Sequence, residues 1–483
     1  MRTVSFTPEV IPGITLVSPY EDITAYGVRL LSAILRKEGF STRIVFAPTI
    51  LHDTSEESLD ALAEEIRKVS LRSSLLGFSF FTCHFPFVSR LSKKMREKVK
   101  TPIIWGGKHI TPLPQDAVGY ADLVCIGEAE TSLKNLLRAM ERGDDYRSLE
   151  GIWTVGDGDP AQKALPPVEE HLDGLPFPDY SQKGHYLWDG SRMVTMDDKT
   201  LQEHIWKSPN GRTVYNTMAS RGCLYSCTYC STFKDLYKGQ KYLRMRSIGN
   251  VVEEISRMKE RFPFIGEVHL SDDNFFAMRE GEIEQFALLY KKRVGLPLRC
   301  LGHPQDVTRK KVEVMIDAGM SEFQIGIQTG CKNTQKLYRR GPSADKVLET
   351  VKLLSSFKGR LKPFYDFIID NPYESKEDVL ETLRMINRFP HPYHLNVFSL
   401  IFLPGTELHR KAMQDGMIFD MTRIFEFRRE SYLNIVFHIF NLGLPRWITG
   451  LLISKPVVAL LDNRPAVSAI YALRKMVKRI LKA

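Results

Sequence analysis

Apolar strand-like runs alternate with amphipathic helical runs along two long stretches of this chain, and that rhythm constrains the fold more than any other feature. Within residues 13–142, ITLVSPY (14–20), TRIVFAP (42–48), LLGFSFF (75–81), PIIWGG (102–107) and DLVCIG (122–127) read as strands. Between them AYGVRLLSAILRKEGF (25–40), VSRLSKKMREKV (88–99) and TSLKNLLRAM (131–140) carry helical period, with Val28, Leu31, Ile34 and Leu35 on one face. Strands apolar on both faces, joined by amphipathic helices, predict an α/β fold with a doubly wound parallel sheet. Such a sheet binds ligands beyond the carboxyl ends of its strands. The loops there are SPYEDIT, SFFTCHF, GGKHITPLP and GEAE. The first of them lacks the G-x-G-x-x-G of a dinucleotide site, which argues against NAD.

Residues 143–206 lose the rhythm, carry the proline cluster LDGLPFPDY (172–180), and read as a linker with room for a hairpin at 151–155. From 212 to about 412 the rhythm returns: TVYNTMAS, EVHLSDDNFF, LRCLG, EFQIGIQTG, FYDFIID and HLNVFSLIFLPG. Six β/α repeats there suggest a partial (β/α)6 barrel of the TIM type. The expected boundaries are therefore a Rossmann-like domain at 1–142, a linker at 143–206, a barrel at 207–412, and a helical, basic, apolar region at 413–483.

The stretch SRGCLYSCTYCS (220–231) places Cys223, Cys227 and Cys230 at gaps of three and two, with no fourth ligand nearby. Closed zinc sites want four ligands, so zinc would be underligated here. Three thiolates suit a [4Fe–4S] cluster with one iron left open for a small ligand. The other four cysteines, Cys83, Cys125, Cys300 and Cys331, are scattered mostly in apolar runs and read as core residues. The amino terminus, MRTVSFTPEV, has no long apolar run, so no signal peptide is expected and a reducing cytoplasm is.

The spacing C-x₃-C-x₂-C, with aromatic Tyr229 before the third cysteine, resembles the radical S-adenosylmethionine (SAM) superfamily. The resemblance implies that SAM chelates the open iron. One electron then cleaves it to a 5′-deoxyadenosyl radical able to take hydrogen from an unactivated carbon. A reductant such as flavodoxin or ferredoxin would supply the electron. By the same resemblance, Cys223, Cys227 and Cys230 are the cluster ligands. Tyr229, Asp272, Asp273, Asn274, Gln328 and Gly405 occupy positions where the family contacts SAM. SDDNFF (271–276) departs from the GGE form of many relatives, and polar turn residues are its plain alternative. Gln328 reads equally as a buried amide. Arg221 either caps the cluster loop or balances the cluster's charge.

The first domain resembles the cobalamin-binding domain that precedes the barrel in one large subgroup of that superfamily. Where other cobalamin enzymes carry D-x-H-x-x-G, this chain has Asp22-Ile23-Thr24-Ala25-Tyr26-Gly27. Thr24 replaces the cobalt-ligating histidine, so the resemblance implies cobalamin without histidine ligation. Gly106 and Gly107, in WGGKHITPLP, match the loop that passes beneath the corrin. GEAE (127–130) is another subgroup hallmark, and acids at a helix start are its plain explanation.

The formal net charge is +10, and the chain from Arg423 onward holds eleven Lys and Arg against three acids. The remainder is nearly neutral, so no nucleic-acid partner is expected. The run LNIVFHIFNLGLPRWITGLLISKPVVALL (433–461) is broken by Pro445, Arg446, Lys455 and Pro456 and is too short between charges to span a bilayer. It reads either as a helical cap on the barrel or as a membrane-touching amphipathic surface with Phe440 and Trp447. The resemblance implies an enzyme that methylates or otherwise modifies an unactivated carbon. The tail points to a hydrophobic, lipid-like substrate and peripheral membrane contact. A radical carbon–carbon cyclase without methyl transfer is the alternative, and a non-catalytic cobalamin or iron–sulfur sensor is the alternative of another class.

Overall fold

The computed structural model describes residues 13–49, 55–231, 234–237, 239–419, 425–426 and 428–480. The segment read as lacking a signal peptide lies outside them, as do Arg423 and Lys482 of the basic tail.

The first sheet contains β1 (Gly13–Ser18), β2 (Ser41–Phe46), β3 (Leu75–Ser79), β4 (Ile103–Gly106), β5 (Leu123–Cys125), β6 (Ile152–Thr154), β7 (His185–Trp188) and β8 (Met193–Thr195). Their order is β6-β5-β4-β3-β1-β2-β7-β8, with only the outermost pairings, β5–β6 and β7–β8, antiparallel. Alternation along β1 sends Ile14 and Leu16 toward α1 (Tyr26–Lys37) and α4 (Ala129–Arg142). Val17 points the other way, toward α2 (Glu56–Ser70) and α3 (Phe85–Lys98). Ser55 caps α2 by accepting from Ser58 N–H at 3.2 Å, and Glu56 and Glu57 sit favourably in its first turn.

Residues 143–206, expected as a linker, supply β6, β7 and β8. These strands have only three or four residues, too few to show an alternation in sequence. The proline cluster between them is anchored rather than loose. Asp179 accepts from Ser32 Oγ at 2.7 Å and from His185 Nε2 at 3.1 Å, and it pairs with Arg36 at 2.9 Å. Fully buried Arg29 lies between the rings of Phe46 and Tyr180, 4.6 and 4.1 Å from their centroids.

The barrel is open and six-stranded: β9 (Thr213–Thr217), then, after a short ribbon of β10 (Ser220–Arg221) and β11 (Arg244–Met245), β12 (Ile265–Leu270), β13 (Leu298–Gly302), β14 (Met320–Gln328), β15 (Lys362–Ile369) and β16 (His394–Ser399). All six pair in parallel in the order β16-β15-β14-β13-β12-β9. The helix Tyr432–Phe440 then covers the β16 edge. Leu433, Val436, Phe437 and Phe440 are buried in the barrel's core, and Asn441 bonds Leu395 N–H and C=O at 2.7 and 2.9 Å. This part of the tail is a cap, and Phe440, expected on an outer face, is 1% exposed. Of the cysteines read as core, Cys125, Cys300 and Cys331 are buried; Cys83 is exposed, at the start of α3.

Candidate functional site

The cluster loop leaves β9 and is pinned on several sides before it reaches its first cysteine. Buried Asp272 accepts from Ala219 N–H at 3.1 Å and from the Ser220 hydroxyl. Gly222 turns the chain at φ +86°, where a Cβ would collide with the Tyr242 carbonyl. Further on, the Tyr225 ring stacks on His303 at 3.9 Å and its hydroxyl donates to Asp306 at 2.9 Å. Thr228 C=O accepts from Leu408 N–H at 2.8 Å.

Cys223, Cys227 and Cys230 stand on this loop. Arg340 donates from Nη1 to Cys227 Sγ at 3.4 Å and from Nη2 to the Gly326 carbonyl, tying the loop to the end of β14. Burial pushes the Cys223 thiol up and the Cys230 thiol to about 12, so a metal held by them would have to expel their protons. Among the described residues, the one set of three His, Cys, Asp or Glu ligand atoms within 4.8 Å of one another is Cys331, Asp378 and Glu381. The cluster-loop thiols form no such set, and so they are spread wider than the ligands of one zinc ion. Their chemistry and spacing fit an iron–sulfur cluster.

The six positions expected near SAM divide. Asp273 is exposed and faces the cavity described below. Asp272 is 1% exposed with its oxygens occupied by the loop, and burial raises it to about 6. Asn274 is also buried; it donates to Asp306 at 2.7 Å and accepts from His303 N–H at 3.2 Å. Gln328 ends β14 in the left-handed region, at φ +74°. The Tyr229 ring packs edge-on to Tyr338 at 4.8 Å, among Leu400, Phe402 and Leu408. Gly405 lies hard against Pro112 of the first domain, so its close approach serves the domain contact.

A cavity of about 620 Å³ opens at the carboxyl ends of β1, β3, β4 and β5, directly under the cluster loop. Asp22, Thr24, Gly27, Gly106 and Gly107 all line it, facing Gly222, Ser231 and Asp273 of the barrel. Its floor is apolar, formed by Leu16, Leu31, Ile104 and Leu133, and reaches down to the sheet between α1 and α4. Gly107 holds φ +102°, where a Cβ would come within 2.6 Å of the Phe80 carbonyl. Thr24 is 2% exposed and its hydroxyl donates to Asp22, which also accepts from Asn216 Nδ2. An apolar-floored cavity with glycines at its wall suits a corrin, and no histidine stands at the Thr24 position.

Sequence reasoning missed the residues that join the halves. Glu128 pairs with Arg244 at 2.7 Å, and Glu130 pairs with Arg221 at 2.6 Å. GEAE is thus a clamp on the ribbon flanking the cluster loop, and Arg221 spends its charge on that clamp. Arg244 and Arg246, two arginines at alternate positions in LRMRS, were the available sign. Asn216, a lone amide in an apolar strand, was another: it accepts from His269 Nδ1 at 3.0 Å. Burial pushes His269 down to about 3, so its ring is neutral. Along the barrel interior Arg299, Gln324, Asp366 and Asn396 continue in a hydrogen-bonded row.

Residues 13–137 match the B12 binding domain family, and residues 218–386 match the Radical SAM superfamily. The chain is a cobalamin-dependent radical SAM enzyme. It has 23% identity over 337 residues with an uncharacterized methyltransferase of Pyrococcus horikoshii, covering 69% of this chain and 67% of that protein. With the anaerobic magnesium-protoporphyrin IX monomethyl ester cyclase of Rubrivivax gelatinosus it has 23% identity over 419 residues, covering 84% and 68%. Its fold is similar to that of the cobalamin-dependent SAM radical enzyme OxsB, with a TM-score of 0.67 at 14% identity, over 98% of this chain and 76% of that one. The cofactors of this radical SAM enzyme are a [4Fe–4S] cluster, SAM and cobalamin, and its reaction is of the methyltransferase or cyclase type.

Proposed function

We propose that this enzyme transfers a methyl group to an unactivated carbon of a hydrophobic, lipid-like substrate. The observation that carries the reading is the single cavity walled on one side by the Thr24 and Gly107 loops and on the other by Gly222, Ser231 and Asp273. Held at this cavity and on the cysteine loop beside it, the cofactors would supply radical and methyl-transfer chemistry. The chain's own part is to orient them. Cys223, Cys227 and Cys230 would hold the cluster, and Asp273 offers the open carboxylate for the SAM ammonium. The Asp22–Thr24 pair closes the lower wall without offering a nitrogen ligand.

Radical ring closure without methyl transfer is the second reading, supported by the similarity to a cyclase over most of the chain. The polar row through His269, Arg299 and Asp366 suits a substrate that brings a polar group to the barrel and leaves its apolar part outside. A one-electron reductant such as flavodoxin or ferredoxin would be the partner. The test is anaerobic incubation of the reconstituted enzyme with SAM, a chemical reductant and a membrane-lipid extract. Methyl transfer predicts 5′-deoxyadenosine and S-adenosylhomocysteine in equal amounts. Deoxyadenosine alone would move the assignment to cyclisation, and neither product would contradict both readings.

A further inference from the structure

Four large apolar side chains crowd into residues 442–460 and stand in solvent: Leu442 at 70%, Trp447 at 72%, Leu451 at 55% and Leu460 at 70% exposure. The short helix Arg446–Leu452 lies among them, with Leu452 packed on the core. Both of its polar side chains bond back to the protein. Arg446 donates to the Arg388 and Phe389 carbonyls at 3.1 Å, and Thr449, 2% exposed, donates to Asn387. Trp447 and Leu451, one turn apart, share the outward face. A surface that meets only water more often carries polar side chains at such positions.

The charge of this segment favours a lipid surface as the occupant of this face. From Leu442 to the end of the chain the sequence carries eight Lys and Arg and one acid, Asp462. That acid is already 2.6 Å from Lys376. No helix among the described residues is long and apolar enough to cross a membrane. An apolar face bearing an exposed tryptophan, in a segment where Arg446, Lys455 and Arg464 are also exposed, fits the headgroup layer of an anionic bilayer. A second copy of this chain is the poorer occupant, because a symmetric contact would set the two basic segments against each other.

We propose that the Trp447–Leu451 face, with Leu442 and Leu460, docks this enzyme peripherally on anionic lipid. The docking draws on the proposed lipid-like substrate only for its purpose, since the geometry stands without any turnover.

The test is cosedimentation of the anaerobically reconstituted full chain with vesicles of phosphatidylcholine, alone or with an equal part of phosphatidylglycerol. The chain should bind the mixed vesicles, lose that binding as salt rises, and bind pure phosphatidylcholine weakly. The double substitution Trp447→Glu, Leu451→Glu should lower binding about tenfold while iron, cobalt and deoxyadenosine formation stay unchanged. Leu442→Glu, outside the helix, should lower it independently. Leu288→Glu, at a side chain 74% exposed elsewhere, should not. Equal binding to both vesicles, or full binding by the substituted chains, would overturn the proposal. So would a wild-type dimer that these substitutions make monomeric without any lipid binding. Vesicle binding without SAM cleavage would instead sink the proposed function and leave the docking surface standing.

Discussion

Glu130 Oε1 lies 2.6 Å from Arg221 Nη2, so a carboxylate at the start of α4 in the cobalamin domain grips the residue two places before Cys223. Beside it Glu128 meets Arg244 with two bonds, at 2.7 and 2.9 Å. These pairs set the separation between the cobalamin loops and the cluster loop. Burial alone would raise the Glu128 carboxyl, but Arg244 and Arg221 outweigh it and hold it below its ordinary value.

Removing one partner of the Glu128–Arg244 pair leaves a charge stranded, since the Arg244 side chain is 2% exposed. Glu128→Gln should therefore cost about 3 kcal/mol. The double change Glu128→Gln, Arg244→Met should cost less than the two single losses added. Thermal unfolding of the four chains of this cycle checks it; strict additivity would show that the pair is not coupled.

Arg340 should tune the cluster rather than assemble it. Its Nη1 donates to Cys227 Sγ at 3.4 Å, and losing that positive donor disfavours the added electron. Arg340→Met should retain about four irons per chain while its reduction potential moves negative by tens of millivolts. Cys227→Ala should lose the iron itself. An unchanged potential in Arg340→Met would remove Arg340 from this role.

Thr24 governs the lower face of the cavity. Its hydroxyl is engaged by Asp22, and Asn216 braces the same carboxylate. Cobalt(II) cobalamin bound to the wild-type chain should therefore show an electron paramagnetic resonance spectrum without nitrogen splitting from the protein. Thr24→Ala should leave that spectrum unsplit. Nitrogen splitting in the wild type would mean that a side chain other than Thr24 reaches the cobalt.

The rhythm of strands and helices, and the cysteine spacing, made both domains and the cluster loop legible in sequence. Short pieces hid the rest. The strands β6, β7 and β8 are too brief to alternate visibly, and Asp179 knits them to α1 through contacts far apart in the chain. SDDNFF showed three acceptors alike, yet packing turns Asp272 and Asn274 inward and leaves Asp273 at the cavity. Gly405 marked a close approach, but its neighbour is Pro112, nearly three hundred residues upstream. Partners so distant in sequence leave no local pattern.

Glu374 predicts a pH dependence of stability. It accepts from Thr334 at 2.9 Å, but burial dominates and raises it from 4.5 to about 7. The native chain therefore keeps this proton longer than the unfolded one. The stabilisation is complete below pH 4.5 and is lost as pH rises toward 7. Glu374→Gln, which cannot ionise, should be more stable than wild type by about 1–3 kcal/mol above that range and little changed below it. Melting curves at mildly acidic and mildly basic pH check it; an equal difference at both would contradict the assignment.

The central claim is that the cysteine loop would hold a cluster beside a cavity that would hold cobalamin. Iron, cobalt and zinc per chain, measured on anaerobically purified protein made with cobalamin supplied, test it most directly. The account predicts about four irons and one cobalt, with the iron retained and the cobalt lost when Gly27→Trp, at a lining position where an added side chain meets open space, fills the cavity. Iron without cobalt in the wild type would leave the first domain a scaffold, and zinc without iron, surviving anaerobic cluster reconstitution, would contradict the account at its base.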